Sequence, residues 1–296
     1  MNNQDKPGVI LVPVDYSEQS VIALEQAVSL SRVFNSEIHV LNVISEEFSL
    51  AKLFSDDDKV EFERRAKAKL DEFISEKSKQ YDVELHPIQV HGKIYSQIVN
   101  SADIVNAQFI VMGTAGTSSL KKKFIGSNAL RVVRESHKPV ITIKGKHHRK
   151  GCQNIILPLD LTKETKEKVA KAVEFAKRFG SIIRVVSVLL TNDEFVVNRL
   201  TRQLDQVKKF IEEQGVDCTA EIVRDTKGGQ SLAESVIDYA NKSKGDLIMM
   251  MTQQEEDFTD FFIGSSAQGI INESDIPVLS IIPTPKKDTS VFVNPY

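Results

Sequence analysis

Residues 8–44 read GVILVPVDYSEQSVIALEQAVSLSRVFNSEIHVLNVI, and residues 153–189 read QNIILPLDLTKETKEKVAKAVEFAKRFGSIIRVVSVL. Each opens on a short apolar run that ends Pro-x-Asp, with a hydroxyl residue, Ser17 or Thr162, two positions beyond the acid. A helical pattern and a second apolar run complete each stretch. Further on, FIGSNALRVVRESHKPVITI (124–143) is answered by FIGSSAQGIINESDIPVLSI (262–281). The copies stand 145 residues apart at the front (8 against 153) and 138 at the back (124 against 262). The chain is therefore an internal duplication whose second copy carries a small deletion.

Within the first copy the runs 8–14, 37–44, 84–90, 108–112 and 139–143 are short and rich in Val and Ile. That composition suits strands buried on both faces. Amphipathic stretches lie between them; in the second copy Val197, Leu200, Leu204, Val207 and Ile211 advance by three and four, a helical stripe. Ser17 and Thr162 stand at N-cap positions. Five strands alternating with four helices make a parallel sheet covered on both sides. The basic stretch KGKHHRKG (144–151) reads as the linker, and its His147 and His148 as solvated rather than metal-binding. The expected domains are 1–146 and 152–284, followed by a tail, 285–296, without a trusted period.

The totals agree. A chain of 296 residues is long for one core and suits two domains of about 150 residues. It is 41% apolar and 27% charged, with a formal net charge of −3, which gives no reason to expect nucleic-acid binding. Cys152 and Cys218 lack metal-ligand spacing and read as reduced thiols of an intracellular protein. Neither a signal peptide nor a membrane-length apolar run is evident, so a cytoplasmic protein without a membrane partner is expected.

The connection GTAGTSSLKKKFIGS (113–127) carries three glycines, five hydroxyl side chains and three consecutive lysines. In an open parallel sheet ligands bind beyond the carboxyl ends of the strands, where this loop and Pro13-Val14-Asp15 meet. Gly113 and Gly116 are expected to allow close approach and positive φ. Gly126 and Ser127 open the next helix, whose unpaired N–H groups favour an anion. Thr114, Thr117 and Ser127 add hydroxyl groups, and Lys121, Lys122 and Lys123 a positive field. Together they describe a polyphosphate cradle. Neither Gly-x4-Gly-Lys-Ser/Thr nor Gly-x-Gly-x-x-Gly after a strand occurs.

ILVPVDYSEQS, IHVLNVI and MGTAGTSSLKKKFIGSNALRVVRESHKPVITI together resemble the universal stress protein (UspA-like) family in its tandem form. The resemblance spans nearly all of both halves, and Gly-x2-Gly-x9-Gly-Ser is that family's signature for the branch that binds ATP. It implies an α/β, Rossmann-like fold: two tandem open five-stranded parallel sheets, each in the order 3-2-1-4-5 with helices on both faces. The two domains would pair through their last strands as a pseudo-dimer within the chain. It also implies an adenine nucleotide, ATP with or without Mg²⁺, held by matched positions. Asp15, with Pro13 and Val14, falls at the adenine and ribose end, and Val43 matches an adenine contact. Met112, Gly113, Gly116, Gly126, Ser127 and Asn128 match ribose-to-triphosphate positions, with the Thr114 hydroxyl beside them. The lysine run has no fixed counterpart in the signature.

The second copy is an internal control. It keeps Gly264 and Ser265 but has Met251 and Gln254 in place of the first two glycines. Glu255, Glu256, Asp257 and Asp260 replace the lysines, and four carboxylates would repel a triphosphate. The second domain is therefore not expected to bind ATP as the first does. Gly228-Gly229 before a helix with Ser231 near its N-cap reads as a turn, with a second anion site as the alternative. No catalytic constellation emerges: His39, His86, His91 and His137 are scattered, and only His91, beside Gly92, is placed to border the cleft. The leading expectation is a nucleotide-dependent sensor or regulator with a protein partner; the alternatives are a slow Mg-dependent ATPase and an interaction scaffold with a small-molecule pocket in the second half. A lone chain and a homodimer both fit the sequence.

Overall fold

A computed structural model describes residues 7–45, 56–114, 126–145, 152–159, 165–189, 193–224, 231–251 and 264–281. Gly116, Thr117, the three lysines, His147, His148, Asp160, Thr162, Gly228, Gly229, the four acids of the second loop and the tail lie outside the described residues.

The first half runs β1 (Gly8–Pro13), α1 (Glu18–Phe34), β2 (Ser36–Ser45), α2 (Asp56–Tyr81), β3 (Leu85–Gly92), α3 (Ile94–Ile104), β4 (Phe109–Gly113), α4 (Ser127–Glu135) and β5 (Val140–Ile143). The second repeats it: β6 (Asn154–Pro158), α5 (Thr165–Phe179), β7 (Ile182–Leu189), α6 (Glu194–Glu213), β8 (Cys218–Arg224), α7 (Leu232–Lys242), β9 (Leu247–Met251), α8 (Ser265–Glu273) and β10 (Val278–Ile281). β1 and β6 need no alternation because each has helices on both faces; Ile10, Leu11, Ile155 and Ile156 are fully buried. Pro87 is tolerated in β3 because that strand is at the sheet's edge.

Ser17 caps α1 with extended backbone, and its hydroxyl accepts from the Ser20 N–H at 3.2 Å. Ser231 does more, forming a reciprocal capping box with Glu234 at the start of α7. On α6 the stripe read from the sequence points inward in part: Leu204 and Ile211 are buried, and Val207 packs against the core.

The expectation of two sheets is met only in part. The ten strands of the described residues form one sheet, in the order β3-β2-β1-β4-β5-β10-β9-β6-β7-β8. Within each half neighbouring strands are parallel; at the centre β5 and β10 run antiparallel, with Thr142 opposite Val278 and Val140 opposite Ser280. Both strands are buried along their whole length, so pairing them removes two apolar edges at once. Lys144 and Gly145, read as linker, belong to this junction: Lys144 Nζ donates to the Asn272 carbonyl at 2.6 Å. A Cβ on Gly145 would fall 2.4 Å from the Asp275 carbonyl oxygen.

The core has two layers. Under α1, α2, α5 and α6 it joins both halves, with Phe34, Phe109, Phe175 and Phe179 in mutual contact. The other lies under α3, α4, α7 and α8. Cys152 and Cys218 are free and buried, and burial pushes each thiol up to about 12. Among the described residues no helix is long and apolar enough to cross a membrane.

Candidate functional site

Parallel strands of one sheet present their carboxyl ends on one side, and in the first half those of β1, β2 and β4 border a cavity of about 410 Å³, within the usual range of small-molecule sites. The chain leaves β1 through Val14, whose N–H donates to the Leu41 carbonyl at 2.8 Å and whose carbonyl accepts from Asn42 Nδ2 at 3.1 Å. Tyr16 then turns it with φ of 63°, a left-handed conformation that costs a side chain about 1–2 kcal/mol. Its ring meets Phe73 edge-on at 5.4 Å, with Lys69 Nζ 4.2 Å from its centroid. The turn brings exposed Asp15 to the cavity, where its Oδ1 accepts from the Ser17 N–H at 3.1 Å and from the Ser17 hydroxyl.

The opposite wall is the exit from β4 and the start of α4. Thr114 is buried and its N–H donates to the Ile143 carbonyl at 2.9 Å, while its own carbonyl accepts from the Gly126 N–H at 2.5 Å. That bond ties together the two ends of the glycine-rich connection. It also corrects one expectation: the Gly126 amide is already engaged, leaving Ser127, Asn128 and Ala129 as the amides of the first turn. No side chain caps that turn, and no acid stands in it, which keeps the positive end of α4 available to an anion.

The role expected of Gly113 is corrected too. It has no positive φ; a Cβ there would stand 2.9 Å from Gln19 Cβ and 3.0 Å from the Gln19 carbonyl carbon. The glycine serves the close approach of β4 to the first turn of α1. Gly126 is similar, since a Cβ would lie 3.1 Å from the Thr114 oxygen.

Ten of the sequence-expected residues, Pro13, Val14, Asp15, Val43, Met112, Gly113, Thr114, Gly126, Ser127 and Asn128, line this one cavity. Gly116 lies outside the described residues. The sequence reading missed Leu41, Ile94, Ile98 and Ser20, which also line it. Leu41 had a signal, being two residues before Val43 on the same strand face. Ile94 and Ile98, spaced by four at the start of α3, look like ordinary core positions. The cavity is apolar at the β2 and α3 wall and polar at the α4 wall.

In the second half the equivalent surface is built differently. Met251, standing where Gly113 is, is buried, and Lys168 is buried at the position of Ala23, its Nζ donating to the Pro158 carbonyl at 3.4 Å. Gly264 opens α8 without a side-chain cap, as Gly126 opens α4. The helix terminus is thus retained while the strand end has acquired a bulky thioether and a cation.

The histidines are less scattered than the sequence suggested. His91 does not line the cavity and faces Glu63 at 3.8 Å; His137 lies 3.5 Å from Asp103. His39 and His86, however, are cross-strand neighbours with ring centroids 5.1 Å apart.

The duplication, the sheet and the cavity coincide with a match of the universal stress protein family model to residues 8–144 and again to 151–281. The chain belongs to the universal stress protein family. Two relatives from Methanocaldococcus jannaschii are themselves universal stress proteins. One is 30% identical over 154 residues, covering 47% of this chain and 95% of the relative; the other is 27% identical over 150 residues, covering 48% and 85%. Each relative therefore answers to about one half of this tandem chain. A universal stress protein from Archaeoglobus fulgidus shares the whole architecture, with a TM-score of 0.72 over 94% of this chain and 97% of that one, at 21% identity.

Proposed function

We propose that the first half of this tandem universal stress protein binds an adenine nucleotide, ATP, and that the chain is a nucleotide-dependent sensor or regulator in a stress response. The observation that carries the reading is the convergence of the ten residues on one cavity with an apolar wall and an uncapped helix terminus opposite. Val14, Leu41, Val43 and Ile98 suit the faces of a purine. Asp15 suits the ribose hydroxyls as an acceptor. The Ser127 and Asn128 amides suit the phosphates, and the Ser127 hydroxyl is the group that would hold Mg²⁺. The second half serves as a built-in pairing partner through β5 and β10. Buried Met251 and Lys168 argue against an equivalent nucleotide cleft there.

Purified protein denatured without added ligand should release an adenine nucleotide. Reloaded with ATP, it should retain the nucleotide without releasing phosphate on the time scale of purification. Steady phosphate release would turn the reading into the slow ATPase, and failure to take up any adenine nucleotide would refute it.

A further inference from the structure

We propose that Glu37, His39 and His86, near the amino-terminal ends of β2 and β3, form a site for a divalent transition-metal ion of the zinc type. The parallel register sets His39 directly against His86. Glu37 is two residues before His39, so all three side chains stand on one face of the ribbon. That face is also the one of Leu41, Val43, Ile88 and Val90, on which α3 packs.

One donor atom from each of the three residues lies within 4.8 Å of the others. Around a tetrahedral ion with bonds of about 2.1 Å, donors stand about 3.4 Å apart, so a cluster no wider than 4.8 Å need contract by at most about 1.4 Å. Glu37 is exposed and can swing inward. His39 Nε2 and Glu37 Oε2 are already 3.5 Å apart, long for a hydrogen bond but close to the spacing of two ligands on one ion.

Two further observations separate this cluster from an ordinary pair of strand histidines. A structural imidazole normally has both nitrogens satisfied, whereas His39 Nδ1 is buried with no hydrogen-bond partner among the described residues and Nε2 has only the 3.5 Å approach of Glu37, so either nitrogen can turn to an ion. Extending the register by one residue places Glu84 beside Glu37, and Glu84 Oε1 lies 4.0 Å from His86 Nδ1. Two carboxylates opposed across adjacent strands repel each other; a dication at the centre of this square turns that repulsion into attraction, and Glu84 or water can complete its shell. Two imidazoles and a carboxylate favour zinc over magnesium or calcium, which prefer all-oxygen shells. None of the three residues lines the nucleotide cleft; the nearest cleft residue on β2, Leu41, is two residues beyond His39, about 7 Å of strand.

The test uses the full chain, with metal removed by a chelator and the chelator then removed by dialysis. Zn²⁺ titrated by calorimetry should bind once per chain with micromolar or tighter affinity, and Co²⁺ should give a visible absorption band. His39→Gln and His86→Gln should each weaken Zn²⁺ binding at least tenfold and abolish the cobalt band while circular dichroism stays unchanged. His137→Gln, a histidine outside the cluster, should bind as the wild type does. Wild-type affinity in both cluster variants, or only millimolar binding by the unmodified chain, would overturn the proposal and leave a cross-strand histidine pair.

Discussion

Replacing Phe34 with alanine is expected to destabilise the folded chain by about 3–5 kcal/mol, seen as a lower denaturant midpoint. Phe34 is 8% exposed at the end of α1 and touches both halves. Its ring lies 5.0 Å from Phe109 in the first half and 5.3 and 5.4 Å from Phe175 and Phe179 in the second. The Arg178 guanidinium covers it at 5.1 Å. Truncation would leave a cavity bounded by three aromatic rings, Phe109 on β4 and Phe175 and Phe179 on α5, which cannot all close on it. Neighbouring Val33, 38% exposed on the same helix, is the control; its replacement should cost no more than about 0.5 kcal/mol. A double-mutant cycle between Phe34 and Phe175 should return a coupling of about 0.5–1.5 kcal/mol beyond the burial each loses alone. A Phe34→Ala effect below about 1 kcal/mol would mean that the Phe34 ring adds little to the pairing of the halves.

Ser127→Glu is expected to weaken ATP binding at least tenfold, while Ser265→Glu in the second half changes it less than twofold. Both serines occupy the first helical position after a glycine and begin a turn without a side-chain cap or an acid. A glutamate there complements the helix dipole by about 0.3–1 kcal/mol, so neither variant should lose stability. The same carboxylate in the first cleft would meet the phosphates. Two unit charges 4 Å apart repel by about 1 kcal/mol in bulk water and about 4 kcal/mol at the effective dielectric of a protein surface. Even the lower figure, repeated over more than one phosphate charge, exceeds tenfold. Equal losses in the two variants, measured by titration calorimetry, would contradict the division of labour between the halves.

Much of this was legible in the sequence, for a physical reason. Strands buried on both faces must be apolar throughout, so the run 8–14 foretold β1 (Gly8–Pro13) and 139–143 foretold β5 (Val140–Ile143) to within a residue. The cleft was legible because Pro13-Val14-Asp15 and Gly126-Ser127 mark a strand end and a helix start, and the fold brings such ends together. What could not be read depends on pairing across the chain. Nothing local in Gly113 distinguishes a positive φ from a missing Cβ against Gln19; the helix packed above it decides. His39 and His86 are 47 positions apart, and only the register of β2 against β3 makes them neighbours. The left-handed turn at Tyr16 was equally hidden, since an aromatic residue rarely adopts it and its support comes from α2.

The central claim is that the adenine ring lies in the first half and nowhere else in the chain. Photolabelling with an azido-adenine nucleotide, followed by peptide mapping, tests it most directly. Label should fall on peptides carrying Leu41 and Val43 or Ile94 and Ile98, be suppressed by excess ATP, and be absent from residues 154–189. Label concentrated on β6 or β7, or shared equally between the halves, would contradict it.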